Sequence, residues 1–160
     1  MKNVVLTFIA LFFMVFGAHA QTESDREAQN KEMQPYVDLF FGTNVTQDKP
    51  TAIKEWKRLA QNGNYQAASN LGYMYMGKWG ADKDLEESAK WYRIAVKGNH
   101  PVDIANLAWV LFQTKNYAES REWYLKSAEL EESNEDKEFA LTYANIAGIN
   151  DEIIESVDER

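Results

Sequence analysis

The chain of 160 residues contains no cysteine, so disulfides and thiolate chemistry are both excluded. Histidine is nearly as scarce, with 2 residues, and a zinc site would therefore have to depend on carboxylates. Lys and Arg number 17 against 25 Asp and Glu, giving a formal net charge of -8. Nucleic acids and anionic membrane surfaces both require clustered basic residues. We therefore expect neither as a partner, and we expect packing alone to supply stability.

Sequence motifs of catalytic sites are also missing. There is no Gly-x-Ser-x-Gly elbow and no glycine loop for phosphate. The acidic run Asp82, Asp84, Glu86 and Glu87 lacks the twelve-residue loop of a calcium site, and helix capping explains it better. His100 is expected in an exposed turn. We predict a protein that is not an enzyme and has no metal or cofactor, and a hydrolase that uses carboxylates alone is the least favoured alternative.

The long apolar run of this chain is at its N-terminus. It extends from Val4 to Ala18, follows Lys2, and closes with Ala18-His19-Ala20, the small-x-small pattern of a cleavage site. The run is about 15 residues, shorter than the roughly 20 that a helix needs to cross a bilayer. We predict a signal peptide over 1–20, with an uncleaved anchor as the alternative. The mature chain is then exported, to the periplasm of a Gram-negative bacterium or outside the cell, without stable membrane insertion.

Polar segments bound the predicted fold at both ends. Residues 21–32 show no apolar period and are predicted to form a flexible leader. Residues 150–160 form an acidic tail that could add a frayed short helix.

Between these segments the chain repeats itself. The segment Gly42 to Trp56 recurs as Gly77 to Trp91 with the same internal spacing, and a shorter copy ends at Trp123. The three tryptophans are 35 and 32 residues apart, which is the period of stacked helix pairs. Their register places all three in the core.

Apolar residues three and four positions apart predict helices through the rest of the chain. We predict an all-α array over 33–149, with units at 33–63, 64–98 and 99–132. The last helix is expected to cap the open end of the array with its large apolar side chains: Phe139, Leu141, Tyr143, Ile146 and Ile149. The predicted helices cover 33–41, 50–62, 65–76, 84–97, 101–113, 116–131 and 135–148.

The second copy carries a recognisable pattern. It reads Leu71-Gly72-x-x-Tyr75-x-Gly77-x-x-Gly80-x-Asp82, then Ser88-Ala89-x-Trp91-Tyr92 and Ala95-x-x-Gly98. At these residues the chain resembles the Sel1-like repeats, relatives of the tetratricopeptide repeats. The first copy departs from the pattern with Tyr36-Val37 in place of Leu-Gly, and the third has lost four loop residues. The resemblance implies a right-handed superhelix of antiparallel helix pairs and an adaptor or scaffold role, as in exported bacterial members of the family.

In such a superhelix the first helix of each unit lines the concave face. Leu71, Gly72 and Tyr75 should pack inward by resemblance, which leaves the opposite stripe of that helix for a partner. Two interpretations of these side chains remain open, because the aromatic residues could instead cover the core or pack under the C-terminal helix. Trp79, in a loop, is expected to be exposed. The predicted partner-binding residues are Phe41, Ser69, Asn70, Tyr73, Met76, Ala105, Asn106, Trp109 and Phe112.

The function expected from the sequence is non-catalytic binding of a protein or peptide in the cell envelope. A basic partner would complement the acidic chain, although acidity also serves solubility. Two alternatives stand beside it: an immunity-type inhibitor of a toxin or effector, and an envelope assembly factor. We expect a monomer or a weak oligomer.

Overall fold

A computed structural model describes residues 22–158, and the predicted signal peptide lies outside the described residues. Within this range the chain is all-α, without strands, and consecutive helices joined by short loops form antiparallel pairs. The predicted helix-pair array is thus confirmed. No helix of the described part combines the length and the hydropathy that a membrane span requires. The helices are α1 (Glu23–Phe41), α2 (Lys49–Gln61), α3 (Tyr65–Tyr75), α4 (Leu85–Ala95, followed by a 3-10 turn, Val96–Gly98), α5 (Pro101–Gln113), α6 (Tyr117–Leu130) and α7 (Asn134–Asp158).

Packing follows the order of the chain. Each helix lies against the next one, and α1 also contacts α3. One core cluster runs from α1 to α5, and a second joins α5, α6 and α7. Among the largest fully buried side chains are Phe40, Trp56, Leu71, Tyr92, Leu107 and Tyr124.

Side-chain caps explain where the helices begin. Asp48, Asn64 and Asp84 precede α2, α3 and α4, and each accepts a hydrogen bond from a backbone N–H three residues later. Proline stands in the first turn of α2 and of α5, where its missing N–H is tolerated. The predicted boundaries of α2 to α6 therefore agree with the structure to within two residues.

A close contact between helices recurs in the second and third units. The Tyr92 ring lies on the backbone of Gly72, where an added Cβ would stand 2.8 Å from ring carbons. The Ser88 hydroxyl donates to the Gly72 carbonyl at 2.8 Å, and in the third unit the Ser120 hydroxyl donates to the Ala108 carbonyl at 2.8 Å. A small residue at this position thus allows the two helices of a unit to approach closely.

The tryptophan predictions are partly correct. Trp56 and Trp91 are buried as expected, but Trp123 is half-buried at the edge of the core. Trp79 is not the exposed loop residue that the sequence predicts: it is half-buried, and its ring centroid lies 5.0 Å from that of Tyr73 and 5.3 Å from that of Phe41. A positive φ of 56° at Trp79 turns this side chain back onto the helices.

From Glu23 onward the predicted flexible leader, 21–32, is helical, which corrects the prediction for the described residues. Helix α1 begins at Glu23 with a capping box, in which the Thr22 side chain accepts from the Asp25 N–H and Asp25 accepts from the Thr22 N–H. Met33 anchors the helix in the core.

The amide side chain of Gln29 also holds this helix on the array. Gln29 Nε2 donates to the Gly63 carbonyl at 3.2 Å, and Gln29 Oε1 accepts from the Tyr65 N–H at 2.9 Å. Gln29 thereby satisfies an unpaired group just past the end of α2 and another at the start of α3. The leader has no apolar period because polar contacts, rather than an apolar stripe, order much of it.

Helix α7 corrects the predicted cap. Its small residues Ala140, Ala144 and Ala147 are buried, whereas four of the five large residues that the sequence assigns to covering the array are exposed, namely Phe139, Leu141, Ile146 and Ile149. The alanine face lets α7 lie close to α6, so bulky side chains are excluded from that contact. The helix also continues into the predicted tail, as far as Asp158.

Replacing Gln29 by alanine should destabilise the fold by about 1 kcal/mol, because two backbone groups at the junction of α2 and α3 lose their partner. Urea unfolding followed by circular dichroism measures this. Gln34→Ala, in an exposed part of the same helix, is the control and should change stability by only a few tenths of a kcal/mol. Equal effects of the two substitutions would contradict the bridging role of Gln29.

Replacing Gly72 by alanine should destabilise the fold by roughly 1–3 kcal/mol, because the new methyl group overlaps the Tyr92 ring. The matched control is Gly148→Ala on α7, where the added Cβ meets only the end of the Arg121 side chain. At Gly148 the higher helix propensity of alanine, worth up to about 1 kcal/mol, should keep the stability of the protein unchanged or increase it. A neutral Gly72→Ala in urea unfolding would show that the ring contact is not limiting.

Candidate partner-binding groove

Five of the nine predicted partner-binding residues line one groove. It lies between α3, α5 and α7 and has a volume of about 430 Å³. We call it the aromatic groove. The predicted residues in it are Tyr73, Met76, Ala105, Asn106 and Trp109, and the structure adds Lys78, Tyr124 and Phe139.

The other four predicted residues have other contacts. Phe41 is exposed and packs edge-on against Trp79, beside the groove. Asn70 Nδ2 is 3.3 Å from the Met33 sulfur, so this amide contacts α1. Phe112 packs against Tyr143 of α7, with ring centroids 6.1 Å apart, as the alternative interpretation of the aromatic residues expects.

Ser69 is engaged with a buried carboxylate. Its hydroxyl donates to Asp103 Oδ1 at 2.5 Å. Burial raises the pKa of Asp103, and the Ser69 hydrogen bond and the charge of nearby His100 lower it by less than burial raises it. His100 is half-buried at the start of α5, not the exposed turn residue that the sequence predicts.

A second cavity of about 240 Å³ adjoins the aromatic groove and shares Ala105, Asn106, Tyr124 and Phe139 with it. We call it the hydroxyl pocket. Two of its lining side chains, Tyr124 and Ser127, are 1% exposed, and neither hydroxyl has a hydrogen-bond partner in the described part of the protein. Buried polar groups are nearly always paired, so these two hydroxyls indicate a place for a ligand group or a water.

Comparison of the units shows how the hydroxyl pocket arises. In the second unit the Tyr92 hydroxyl donates to the Met76 sulfur at 3.4 Å and also receives a hydrogen bond from Asn106. In the third unit the position equivalent to Met76 is Phe112, which offers Tyr124 no acceptor. Ser127 stands where the second unit has Ala95. At these two positions the third unit therefore has two buried hydroxyls without a partner among the described residues, where the second unit has a paired hydroxyl and an alanine.

Charges differ between the two ends of this surface. Lys78 lines the aromatic groove, and Lys83 Nζ lies 5.9 Å from the centroid of the Trp109 ring. Glu131 and Asp136 line the hydroxyl pocket, which has no basic residue in its wall. Within residues 22–154 no group of three His, Asp or Glu side chains is placed to hold a metal.

Sequence reasoning missed three lining residues for identifiable reasons. Tyr124 belongs to the Trp-Tyr pair of the repeat, which predicts a core residue, and Phe139 falls within the predicted cap helix. Lys78 follows the glycine of a loop. The lysine gives no sequence signal, whereas the exchange of Ala95 for Ser127 between copies does signal a polar pocket.

Comparison with known proteins shows which family has this repeat. The Sel1 repeat model matches residues 39–64, 66–100 and 110–131, which together make up more than half of the chain. This chain belongs to the Sel1 repeat family. The first match begins inside α1 and the third inside α5, so the Sel1 pattern is weakest in the first helices of those two units.

A solved structure supports the same fold. The crystal structure of a Sel1 repeat protein from Oxalobacter formigenes aligns with a TM-score of 0.57 and 23% sequence identity, over 74% of this chain and 92% of that one. At this identity the likeness shows the fold alone. The search of the curated proteins finds no match.

Asp103→Asn should make the stability of the protein less dependent on pH. Because the pKa of Asp103 is raised by burial, the folded state holds its proton more tightly than the unfolded chain, and parent stability falls as pH rises through the window above the ordinary Asp pKa. The amide can still accept from Ser69 without carrying charge. Thermal unfolding between acidic and neutral pH should show that the stability of the variant, relative to that of the parent, increases as pH rises. Asp82→Asn, on an exposed loop, controls for the loss of one negative charge; a similar gain there would contradict the assignment to Asp103.

Proposed function

We propose that this protein is a non-catalytic scaffold that binds an extended segment of a partner protein along the aromatic groove and the adjoining hydroxyl pocket. The observation that carries this proposal is the adjacency of partly exposed Tyr73, Met76 and Trp109 to two buried hydroxyls that have no partner among residues 22–158. Sel1 repeats generally serve as scaffolds for protein interactions, which supports the same function.

The apolar floor of the aromatic groove supplies contact area. Trp and Tyr are enriched at binding hot spots, and Met adapts to irregular surfaces. The Trp109 ring also has a lysine over it, so the cation limits its exposure from one side.

The hydroxyl pocket supplies directional bonds. A buried hydroxyl without a partner costs about 1–3 kcal/mol. A segment whose backbone or side chain pairs with Tyr124 and Ser127 removes that cost, while an apolar segment does not. We infer that the bound segment places a polar group there.

The distribution of charge suggests which way a segment lies. Acidic groups of the partner are favoured beside Lys78 and Lys83, and basic groups beside Glu131 and Asp136. The net charge of -8 favours a partner that is basic overall.

The cellular setting is part of the proposal. The signal-peptide pattern over 1–20 supports export to the periplasm. An immunity-type inhibitor would bind one toxin or effector tightly, whereas an assembly factor would bind several envelope proteins weakly and with strong salt dependence. The acidic surface suits either alternative, so the number and affinity of the partners distinguish them.

The decisive experiment is affinity capture from native cell-envelope extract with the mature protein and a Tyr73→Ala/Trp109→Ala variant. We expect a stoichiometric partner with the parent and a loss of at least about tenfold in its recovery with the variant, since hot-spot aromatics dominate affinity. Phe112 is left intact because it packs under α7. Circular dichroism establishes that the variant is folded.

The control for this capture is Val45→Ala, which shortens an exposed apolar side chain in the loop after α1, outside the groove. It should retain the partner. A folded groove variant that keeps its partner, or a parent that captures nothing under gentle conditions, would contradict the proposed site.

A further inference from the structure

Helix α7 carries an exposed apolar stripe on the side away from its alanine face. Phe139, Ile146, Ile149 and Ile153 are 53%, 40%, 58% and 55% exposed. Single exposed apolar residues are common on protein surfaces, but contiguous patches mark interaction sites. We call these four residues the isoleucine stripe.

The spacing of the isoleucine stripe is that of a helix-packing seam. Phe139, Ile146 and Ile153 are seven residues apart, and Thr142 and Ile149 fall between them at three and four. Residues at these intervals lie on one side of a helix. From Phe139 to Ile153 the seam runs about 21 Å at 1.5 Å per residue, enough to contact roughly four turns of a partner helix.

Acidic side chains flank this seam. Glu135 and Glu138 are exposed, and by helical periodicity Glu135 falls on the seam and Glu138 on one side of it. Lys137, the one basic residue among the residues of α7, falls close to the opposite side. The surface is therefore apolar along its centre and negative near its N-terminal end.

We propose that the isoleucine stripe binds an amphipathic helix of a partner protein whose apolar face is bordered by Lys or Arg. This interaction surface runs along α7 away from the aromatic groove, with which it shares Phe139 alone of its four residues, and it does not depend on the function proposed above. A second copy of this chain is a poorer occupant, because pairing two such stripes would bring glutamates of both copies together.

A designed peptide tests this proposal. The probe is a labelled helix of about three heptads with leucine at the first and fourth positions and lysine at the flanking positions. A second probe has glutamate in place of every lysine. Fluorescence anisotropy should show binding of the lysine probe and at least about tenfold weaker binding of the glutamate probe.

Variants of the stripe decide whether binding occurs there. Ile146→Ser/Ile149→Ser should lower the affinity for the lysine probe at least about tenfold. Because both side chains are exposed, the variant should still fold, which circular dichroism can establish. The matched control is Leu141→Ser, which removes an exposed leucine from the far side of the same helix and should leave affinity unchanged. Tyr73→Ala/Trp109→Ala should also bind the probe normally, which separates this proposal from the groove.

Three results would overturn the proposal. Equal binding of the two probes would show that the surface does not prefer a basic helix. Equal losses of affinity in the stripe variant and in Leu141→Ser would show that the probe does not bind at the stripe. Light scattering that shows a dimer in the parent and a monomer in Ile146→Ser/Ile149→Ser would assign the stripe to a second copy of the chain.

Discussion

The contact between an aromatic ring and a bare stretch of backbone fixes the geometry of the second unit. The Tyr92 ring lies on Gly72, and the Ser88 hydroxyl bonds the carbonyl of the same residue. Because both contacts converge on one position, the angle and separation of α3 and α4 are set together. The third unit repeats the hydroxyl contact at Ala108, and the first helices α3 and α5 thereby present their remaining faces to one groove.

That groove becomes distinctive where the third unit departs from the second. Tyr124 keeps the ring position of Tyr92 but loses the sulfur acceptor, and Ser127 adds a hydroxyl where the second unit has alanine. Each change carries a cost, since within the described residues it leaves a polar atom buried without a hydrogen-bond partner. Departures of this kind, which break a local rule without a structural gain, are expected at functional sites.

The helices and their order could be predicted from sequence because each signal is local. The spacing of the tryptophans, the Asp and Asn caps and the prolines in first turns predict where α2 to α6 lie. The repeat spacing also predicts the five groove residues that the structure brings together. The errors come from contacts between segments. Gln29 orders α1 through backbone groups more than 30 residues away, and α7 turns its alanines inward because α6 leaves little space. Apolar period alone could predict neither, since it assumes that the larger side chains are the buried ones.

The neighbour-by-neighbour packing of the helices also determines how the chain can fold. Most of the contact between helices joins elements adjacent in the chain. The exceptions include the contact of α1 with α3 and the hydrogen bond from Ser69 of α3 to Asp103 of α5. Little loop-closure entropy is lost in forming contacts between adjacent elements, so chains of this kind fold quickly. Each helix pair can form as soon as its own residues are available, so the array can grow from the N-terminus while the chain is being synthesised.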